Sequence, residues 1–150
     1  MYKIMTAGPT QVRENVRRAR SFVTTNPDLD ETFVDFYKET CELISRLLHT
    51  GNETLILGGE GILGLEAACA SLTEPGDPVL VLDNGVYGRG FADFVSMYGG
   101  KPVLYSVDEK NPIDPAALEE YLKEHHDYKY ATLVHCDTPS GMLNDISALC

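Results

Sequence analysis

After Glu53, short apolar runs alternate along the chain with windows of helical spacing. The runs at Thr54 to Leu57, Val79 to Asp83 and Tyr130 to Cys136 are apolar on both faces, which is typical of parallel strands covered by helices on both sides. A further strand is predicted at Pro102 to Val107. Helices are predicted at 62–72, 88–98 and 115–125. The pattern therefore predicts repeated βαβ units in an α/β fold with a three-layer, mainly parallel sheet, whose ligands bind at the carboxyl ends of the strands.

The chain before Glu53 follows a helical pattern instead. Thr10 is predicted to cap a basic helix over Gln11 to Arg20, and a loop follows. Asp30 is predicted to cap a second helix, which Gly51 ends. Apolar residues recur in this helix at helical spacing, so we expect them to pack in a core. They are Phe33, Phe36, Tyr37, Thr40, Cys41, Ile44, Leu47 and Leu48.

Composition and charge exclude several classes of protein. With 150 residues, 43% of them hydrophobic, the chain has the length and apolar content of one ordinary domain. Its formal net charge of −11 disfavours nucleic acid as a partner. No apolar run approaches the roughly 20 residues that cross a bilayer, and residues 1–9 lack the pattern of a signal peptide. We therefore expect a cytoplasmic protein without a nucleic-acid or membrane partner.

The cysteines and histidines lack the spacing of a metal site. The cysteines are scattered without close pairs, and no two histidines stand four residues apart with a carboxylate between them. We therefore expect reduced thiols and no metal ion. The residues concerned are Cys41, Cys69, Cys136, Cys150, His49, His125, His126 and His135.

A glycine-rich motif lies between a predicted strand and the helix after it, and reads Gly58-Gly59-Glu60-Gly61-Ile62-Leu63-Gly64. Glycines let backbone N–H groups approach an anion, and the first N–H groups of a helix lack partners, so a phosphate is stabilised there without a lysine. Gly59, Gly61 and Gly64 also satisfy the dinucleotide fingerprint, with Asp83 where a ribose-binding acid would lie. The motif alone leaves a nicotinamide dinucleotide, another phosphate ligand, and tight strand–helix packing open.

Three further segments carry motifs of a known family. Residues 72–88, LTEPGDPVLVLDNGVYG, match "EPGD, apolar strand, NG, aromatic, G". Residues 135–144, HCDTPSGMLN, are similar to "H-x-E-[ST]-S-T-G-x-L", and residues 7–10, AGPT, to "G-P-G-P-[ST]". Together with the glycine motif they are collinear over nearly the whole chain. In this the chain resembles class V pyridoxal-phosphate (PLP) aminotransferases of the alanine–glyoxylate and serine–pyruvate type.

The resemblance implies a set of cofactor-binding residues. Backbone groups of Glu60, Gly61 and Ile62 would hold the PLP phosphate. The ring of Tyr87 would stack on the pyridine, and the hydroxyl of Thr138 would contact the cofactor. Tyr87 also favours the transaminase branch over the cysteine desulfurases, which usually stack a histidine on the ring.

The chain departs from the family's pattern at three positions. Glu60 stands where relatives often carry Ser or Thr, and a carboxylate beside a phosphate is unfavourable unless it points away, so only its backbone is assigned. Asp137 shortens the family's usual Glu, and Pro139 replaces a small hydroxyl residue and removes an N–H donor. His135 is interpreted as a structural residue that ends a strand.

The resemblance also implies a longer protein. Residues 1–30 correspond to the N-terminal segment, where Gly8 and Pro9 match the part that closes over the substrate carboxylate, and residues 31–150 to the first part of the PLP-binding large domain of fold type I. In the family, the Schiff-base lysine and the aspartate at the pyridine nitrogen follow later. No catalytic residue is therefore assigned here, and the chain alone is expected to be inactive.

For the complete protein, the resemblance implies a homodimer that transfers an amino group from an amino acid to a 2-oxo acid of the glyoxylate or pyruvate type. Two other classes stay open. One is an NAD(P)-dependent dehydrogenase that uses Gly59-x-Gly61-x-x-Gly64. The other is a non-catalytic binding or assembly module with the same fold.

Overall fold

The computed structural model describes residues 2–150, in which the predicted alternation of strands and helices runs from Gly61 onward. These residues form six helices and five strands in two units, Met1–Gly58 and Gly59–Cys150. The helices are α1 (Glu14–Arg20), α2 (Glu31–Leu47), α3 (Gly61–Leu72), α4 (Val86–Met97), α5 (Pro115–Glu124) and α6 (Ile146–Leu149). The strands are β1 (Pro78–Asp83), β2 (Lys101–Ser106), β3 (Tyr130–Thr132), β4 (Cys136–Asp137) and β5 (Met142–Leu143). The domain boundary expected after residue 30 concerns the complete protein and stays a prediction.

In the first unit, α2 begins where the sequence predicts. The carboxylate of Asp30 accepts a hydrogen bond of 3.1 Å from the N–H of Thr32, so it caps the helix as expected. The predicted end at Gly51 is wrong, because the helix stops at Leu47 and His49 takes the left-handed conformation, with a φ of 52°.

The expected apolar stripe of α2 is only partly buried. Cys41 is buried and Phe33, Tyr37 and Ile44 are half-buried, as expected for one face of the helix. The other large members of the stripe point into solvent among the described residues. These are Phe36, Leu47 and Leu48.

Two further predictions in this unit differ from the structure: one helix starts later than predicted, and one strand is absent. The helix predicted from Gln11 begins only at Glu14, because the first helical hydrogen bonds run to the carbonyl of Arg13, and Thr10 caps nothing. The strand predicted at 54–57 is absent, because a strand needs a hydrogen-bonded neighbour and no strand within 2–150 pairs with it. The N–H and carbonyl of Ile56 bond instead to the hydroxyl of Tyr37, at 2.9 and 3.2 Å.

The second unit contains the predicted parallel sheet. Its strand order is β2-β1-β3, and β1 pairs in parallel with both neighbours. Alternate residues of β1 face opposite layers: Leu80 and Leu82 pack with Leu118 of α5, whereas Val81 packs with α3 and α4. The three-layer α/β arrangement is therefore confirmed.

Helices α3 and α4 both run antiparallel to the strands of the sheet. Just after α3, the hydroxyl of Thr73 lies 2.7 Å from that of Tyr130, the first residue of β3. After α4, the chain turns through Gly99 and Gly100 into the start of β2. Because both helices end where strands begin, both start at the opposite edge, where the strands end.

The last predicted strand is shorter than expected. β3 ends at Thr132 rather than at Cys136, and His135 lies in a bend, so the prediction that it ends a strand is wrong. Beyond Thr132 the carbonyls bond to Asn144 and not to a strand: its side-chain amide donates to the carbonyl of Val134 (2.7 Å) and its backbone N–H to that of His135 (2.8 Å). The chain then folds back as the antiparallel pair β4-β5.

Candidate functional site

The glycine motif places an open helix terminus at the carboxyl edge of the sheet. Glu60 occupies the N-cap position of α3 without a side-chain capping bond, and Gly61 and Ile62 form the first turn. Within residues 2–150, no acceptor takes the N–H groups of Gly61 and Ile62. All three residues are exposed, so this terminus can bind an anion through its backbone, as the sequence suggested.

The geometry disfavours packing as the reason for these glycines. An added Cβ at Gly61 or Gly64 would meet no atom within 4 Å among the described residues. At Gly59 the contact would be 2.6 Å, but with the far end of the flexible Leu63 side chain, which can move. Contacts within the second unit therefore do not account for Gly61 and Gly64.

Asp83, the acid of the dinucleotide alternative, forms an ion pair with Arg89. Its carboxylate is buried and accepts hydrogen bonds from Nε and Nη2 of Arg89, at 3.0 and 2.7 Å, and from the hydroxyl of Ser106, at 2.8 Å. The hydrogen bond to Asp83 raises the pKa of the Arg89 guanidinium. All three donors bind Oδ2, and the ion pair with Arg89 neutralises the charge of Asp83, which makes it a weaker acceptor for a ribose hydroxyl and disfavours a dinucleotide site.

Tyr87 lies in the first turn of α4, one residue before the helix predicted from position 88. β1 ends at Asp83, and α4 begins three residues later at Val86. The side chain of Tyr87 is 49% exposed, and its backbone N–H donates to Oδ1 of Asp137, at 3.1 Å. The ring is thus available to a ligand at the same edge as the start of α3, while the backbone is fixed.

Asp137 connects this helix start to the turn that carries Thr138. Its fully buried carboxylate accepts from the N–H of Tyr87 at one oxygen and, at the other, from the N–H and hydroxyl of Ser140, at 3.2 and 2.7 Å. Burial alone raises the pKa of Asp137, but the hydrogen bonds from Ser140 and Tyr87 outweigh burial and leave the pKa lowered. The carboxylate therefore stays ionised near neutral pH, and the exposed Thr138 sits in the turn that it closes.

Close approach explains both glycines around Tyr87. An added Cβ at Gly85 would lie 2.6 Å from Cγ of Asp137, and one at Gly88 would lie 2.8 Å from the backbone oxygen of Leu82. Glycine is therefore required at both positions by neighbouring atoms that cannot easily move. This is the physical reason for the spacing of the NG-aromatic-G motif.

A buried amide pair anchors the same edge and was not foreseen. Nδ2 of Asn84 donates to Oδ1 of Asn144 at 2.9 Å, and Nδ2 of Asn144 donates back at 3.3 Å. The same Oδ1 also accepts from the N–H of Ile113, at 3.2 Å. Asn84 and Asn144 are 60 positions apart, so no local sequence pattern predicts their pairing. For Asp137, by contrast, the Asp-x-x-Ser spacing to Ser140 could have indicated a capped turn.

The remaining predicted residues lie in the first unit. Gly8 and Pro9 are exposed and joined by a cis peptide bond, and the carbonyl of Pro9 accepts from the hydroxyl of Thr6 at 2.7 Å. Their role at a substrate stays a prediction. In residues 2–150, no cluster of three His, Cys, Asp or Glu side chains could hold a metal ion. None of the helices formed by those residues is long and apolar enough to span a membrane.

Known proteins similar to the chain are aminotransferases, although no protein-family model matches it. The pyridoxamine–pyruvate transaminase of Mesorhizobium japonicum is 37% identical over 145 residues, which cover 97% of this chain and 37% of the relative. The 2-aminoethylphosphonate–pyruvate transaminase 2 of a Polaromonas species is 28% identical over 145 residues, covering 95% of this chain and 38% of the relative. The chain thus spans less than two fifths of these relatives.

Solved structures give the same result. Pyridoxamine–pyruvate aminotransferase from Mesorhizobium loti superposes with a TM-score of 0.84 at 35% identity, covering 99% of this chain and 38% of that one. Ureidoglycine–glyoxylate aminotransferase from Bacillus subtilis gives a TM-score of 0.83 at 27% identity, covering 97% and 37%. The predicted resemblance to aminotransferases is confirmed, and so is the α/β fold.

Proposed function

We propose that the complete protein is an aminotransferase, since the chain is homologous to part of these enzymes. It would transfer an amino group to a 2-oxo acid, with PLP bound at the carboxyl edge of this sheet. The observation that carries the proposal is the open start of α3 at the same edge as the exposed ring of Tyr87. The relatives support the acceptor, because their names specify pyruvate or glyoxylate.

The described residues supply three kinds of contact for such a cofactor. The N–H groups of Gly61 and Ile62 would hold the phosphate, without a lysine or arginine. The ring of Tyr87 would cover one face of the pyridine and exclude water from it, and the hydroxyl of Thr138 would bind a polar group of the cofactor. When bound, PLP supplies an electron-accepting ring through which amino groups are exchanged.

The test is a spectrum and an assay of the complete protein. We expect a visible absorbance band from a bound pyridoxal compound, and conversion of pyruvate or glyoxylate to the corresponding amino acid. The 150-residue chain by itself should show no turnover, because no residue in it is assigned to the chemistry. A complete protein that binds no pyridoxal compound and transfers no amino group would contradict the proposal.

Glu60 favours a second candidate, in which the pyridine ring arrives without a phosphate. Its carboxylate stands at the N-cap of α3, beside the N–H groups that would hold the phosphate, and it has no capping bond of its own. Two adjacent negative charges repel, so this side chain opposes a phosphate that the backbone would otherwise bind. The relative with 37% identity is named for pyridoxamine, a ring compound that carries no phosphate.

In this second candidate, pyridoxamine itself donates the amino group to pyruvate, and Glu60 selects against the phosphorylated ring. Titrating the complete protein with pyridoxal and with PLP distinguishes the two candidates. Tighter binding of PLP favours the first, and tighter binding of pyridoxal favours the second. Either result leaves amino transfer to a 2-oxo acid in place.

Three finer points belong to the same proposal and rest on the resemblance. The complete protein would be a cytoplasmic homodimer that acts on small molecules. Residues 1–30 would form its substrate-side segment, in which Gly8 and Pro9 close over the carboxylate of the amino acid. Size-exclusion chromatography with light scattering would test the dimer.

A further inference from the structure

Two buried carboxylates lie at the carboxyl edge of the sheet, and they are stabilised in different ways. Asp83 is paired with the guanidinium of Arg89. Asp137 has no Lys, Arg or His within 4.0 Å among the described residues, and only the N–H groups of Tyr87 and Ser140 and the hydroxyl of Ser140 bond to it. A buried charge that is held by such donors alone fixes every donor around it, because releasing one leaves the charge less solvated.

The donors of Asp137 belong to the two segments that carry the predicted ring contacts. Oδ1 binds the N–H of Tyr87 in the first turn of α4, and Oδ2 closes the turn from Asp137 to Ser140, which contains Thr138. One rigid group thus sets the position of the Tyr87 backbone relative to that of Thr138. Gly85 leaves space for it, since a Cβ there would lie within 2.6 Å of the carboxylate.

From this geometry we infer that Asp137 is a positioning residue for the pyridine-binding site: it holds the Tyr87 ring and the Thr138 hydroxyl in register without contacting the ring compound. The inference rests on the proposed function, because it concerns the same site. It assigns to Asp137 an effect on how the ring is held, beyond the stability that any buried hydrogen-bonded carboxylate contributes.

Asp137→Asn in the complete protein tests the inference. The asparagine keeps one oxygen for the N–H of Tyr87 but presents an NH₂ group to the N–H of Ser140, which cannot accept, so the turn loses this bond while the helix start is retained. We expect about ten-fold weaker binding of pyridoxal, in line with the loss of hydrogen bonds to a charged group, and a smaller visible circular dichroism of the bound ring.

Two further variants separate positioning from stability. Ser140→Ala removes the hydroxyl that donates to Asp137, together with the bond that it accepts from the N–H of Met142, and should change the circular dichroism in the same direction. This variant keeps the inference testable if Asp137→Asn fails to fold. Asp83→Asn is the matched control, since Asp83 is a buried carboxylate at the same edge whose hydrogen bonds come from Arg89 and Ser106 and not from Tyr87 or Thr138. It should lower the midpoint of thermal unfolding and leave the dichroism of the bound ring unchanged.

The outcomes are distinct. If Asp137→Asn and Ser140→Ala lower the unfolding midpoint yet bind pyridoxal with unchanged affinity and dichroism, Asp137 is structural only and the inference is overturned, while the proposed function stands. A wild-type protein that binds neither pyridoxal nor PLP overturns the proposed function, and the inference with it.

Discussion

The guanidinium of Arg89 donates two hydrogen bonds, of 3.0 and 2.7 Å, to one carboxylate oxygen of the buried Asp83. Because this ion pair neutralises the carboxylate, and Ser106 donates to the same oxygen, Asp83 is a weak acceptor for a ribose hydroxyl. We therefore expect no saturable binding of NADH by the complete protein in a fluorescence titration. Saturable binding that disappears in Asp83→Asn would restore the dehydrogenase alternative.

The exposed ring of Tyr87 is predicted to stack on the pyridine ring of the ligand. Tyr87→Phe keeps the aromatic face and should bind pyridoxal with nearly unchanged affinity. Tyr87→Ala removes that face, and because a stacked pair contributes about 0.5–1.5 kcal/mol beyond its buried area, we expect affinity to fall roughly ten-fold. Equilibrium titration by absorbance measures both. Equal affinities of the two variants would show that the ring of Tyr87 does not contact the ligand.

Replacing Glu60 tests its effect on a phosphate. Glu60→Ser removes the negative charge at the start of α3 and supplies a hydroxyl that can cap the helix, so we expect the affinity for PLP to rise at least about five-fold relative to that for pyridoxal. Glu74→Ser is the matched control, because Glu74 is exposed and lies just beyond the other end of the same helix. An unchanged ratio in Glu60→Ser would mean that this carboxylate does not face the phosphate position.

Gly85 and Gly90 should respond to alanine in opposite directions. A Cβ at Gly85 would overlap the carboxylate of Asp137, and such overpacking typically costs about 1–3 kcal/mol of unfolding free energy. Gly90, in the middle of α4, has no atom within 4 Å of an added Cβ, so Gly90→Ala should stabilise by about 0.5–1 kcal/mol. Urea unfolding of the complete protein measures both. Destabilisation by Gly90→Ala equal to that by Gly85→Ala would contradict the predicted contact with Asp137.

Low pH should remove the contribution of the Asp137 carboxylate to the free energy of unfolding. The pKa of Asp137 in the folded chain lies below its ordinary value of 3.8, so its contribution is fully present above about pH 5 and is lost as pH falls through the folded pKa. The difference in unfolding free energy between wild type and Asp137→Asn should accordingly shrink below about pH 4. Asp93→Asn, at an exposed position on α4, is the control and should leave the unfolding free energy at neutral pH nearly unchanged. A difference that stays constant down to about pH 2 would argue against a lowered pKa.

Local signals predicted most of the second unit. Helices α3, α4 and α5 and strands β1 and β2 lie within two residues of their predicted bounds, because period and caps are written in adjacent residues. The predictions that were wrong concern segments whose structure depends on residues far away in the sequence. Residues 54–57 have strand composition but no neighbour to pair with, and β3 stops where the side chain of Asn144 takes the carbonyl of Val134.

The candidate site shows the same division. The open start of α3 was indicated by its glycines, whereas the binding of a phosphate there and of a ring at Tyr87 is implied by the family motif and stays a prediction. The role of Asp137 depends on the N–H of Tyr87, 50 residues away, so it emerged only from the folded chain. The motif gave no account of the hydrogen bonds that connect the start of α4 to the turn with Thr138.

The buried pairing of Asn84 with Asn144 also has a chemical consequence. Asn84 precedes Gly85, and in flexible peptides such an asparagine readily cyclises onto the next backbone nitrogen and deamidates. Here both amide atoms of Asn84 are engaged, and its side chain is fully buried, so the reaction should be suppressed while the chain stays folded. The fraction of chains deamidated at Asn84, measured by peptide mass spectrometry, should therefore increase with the time that a sample has spent unfolded.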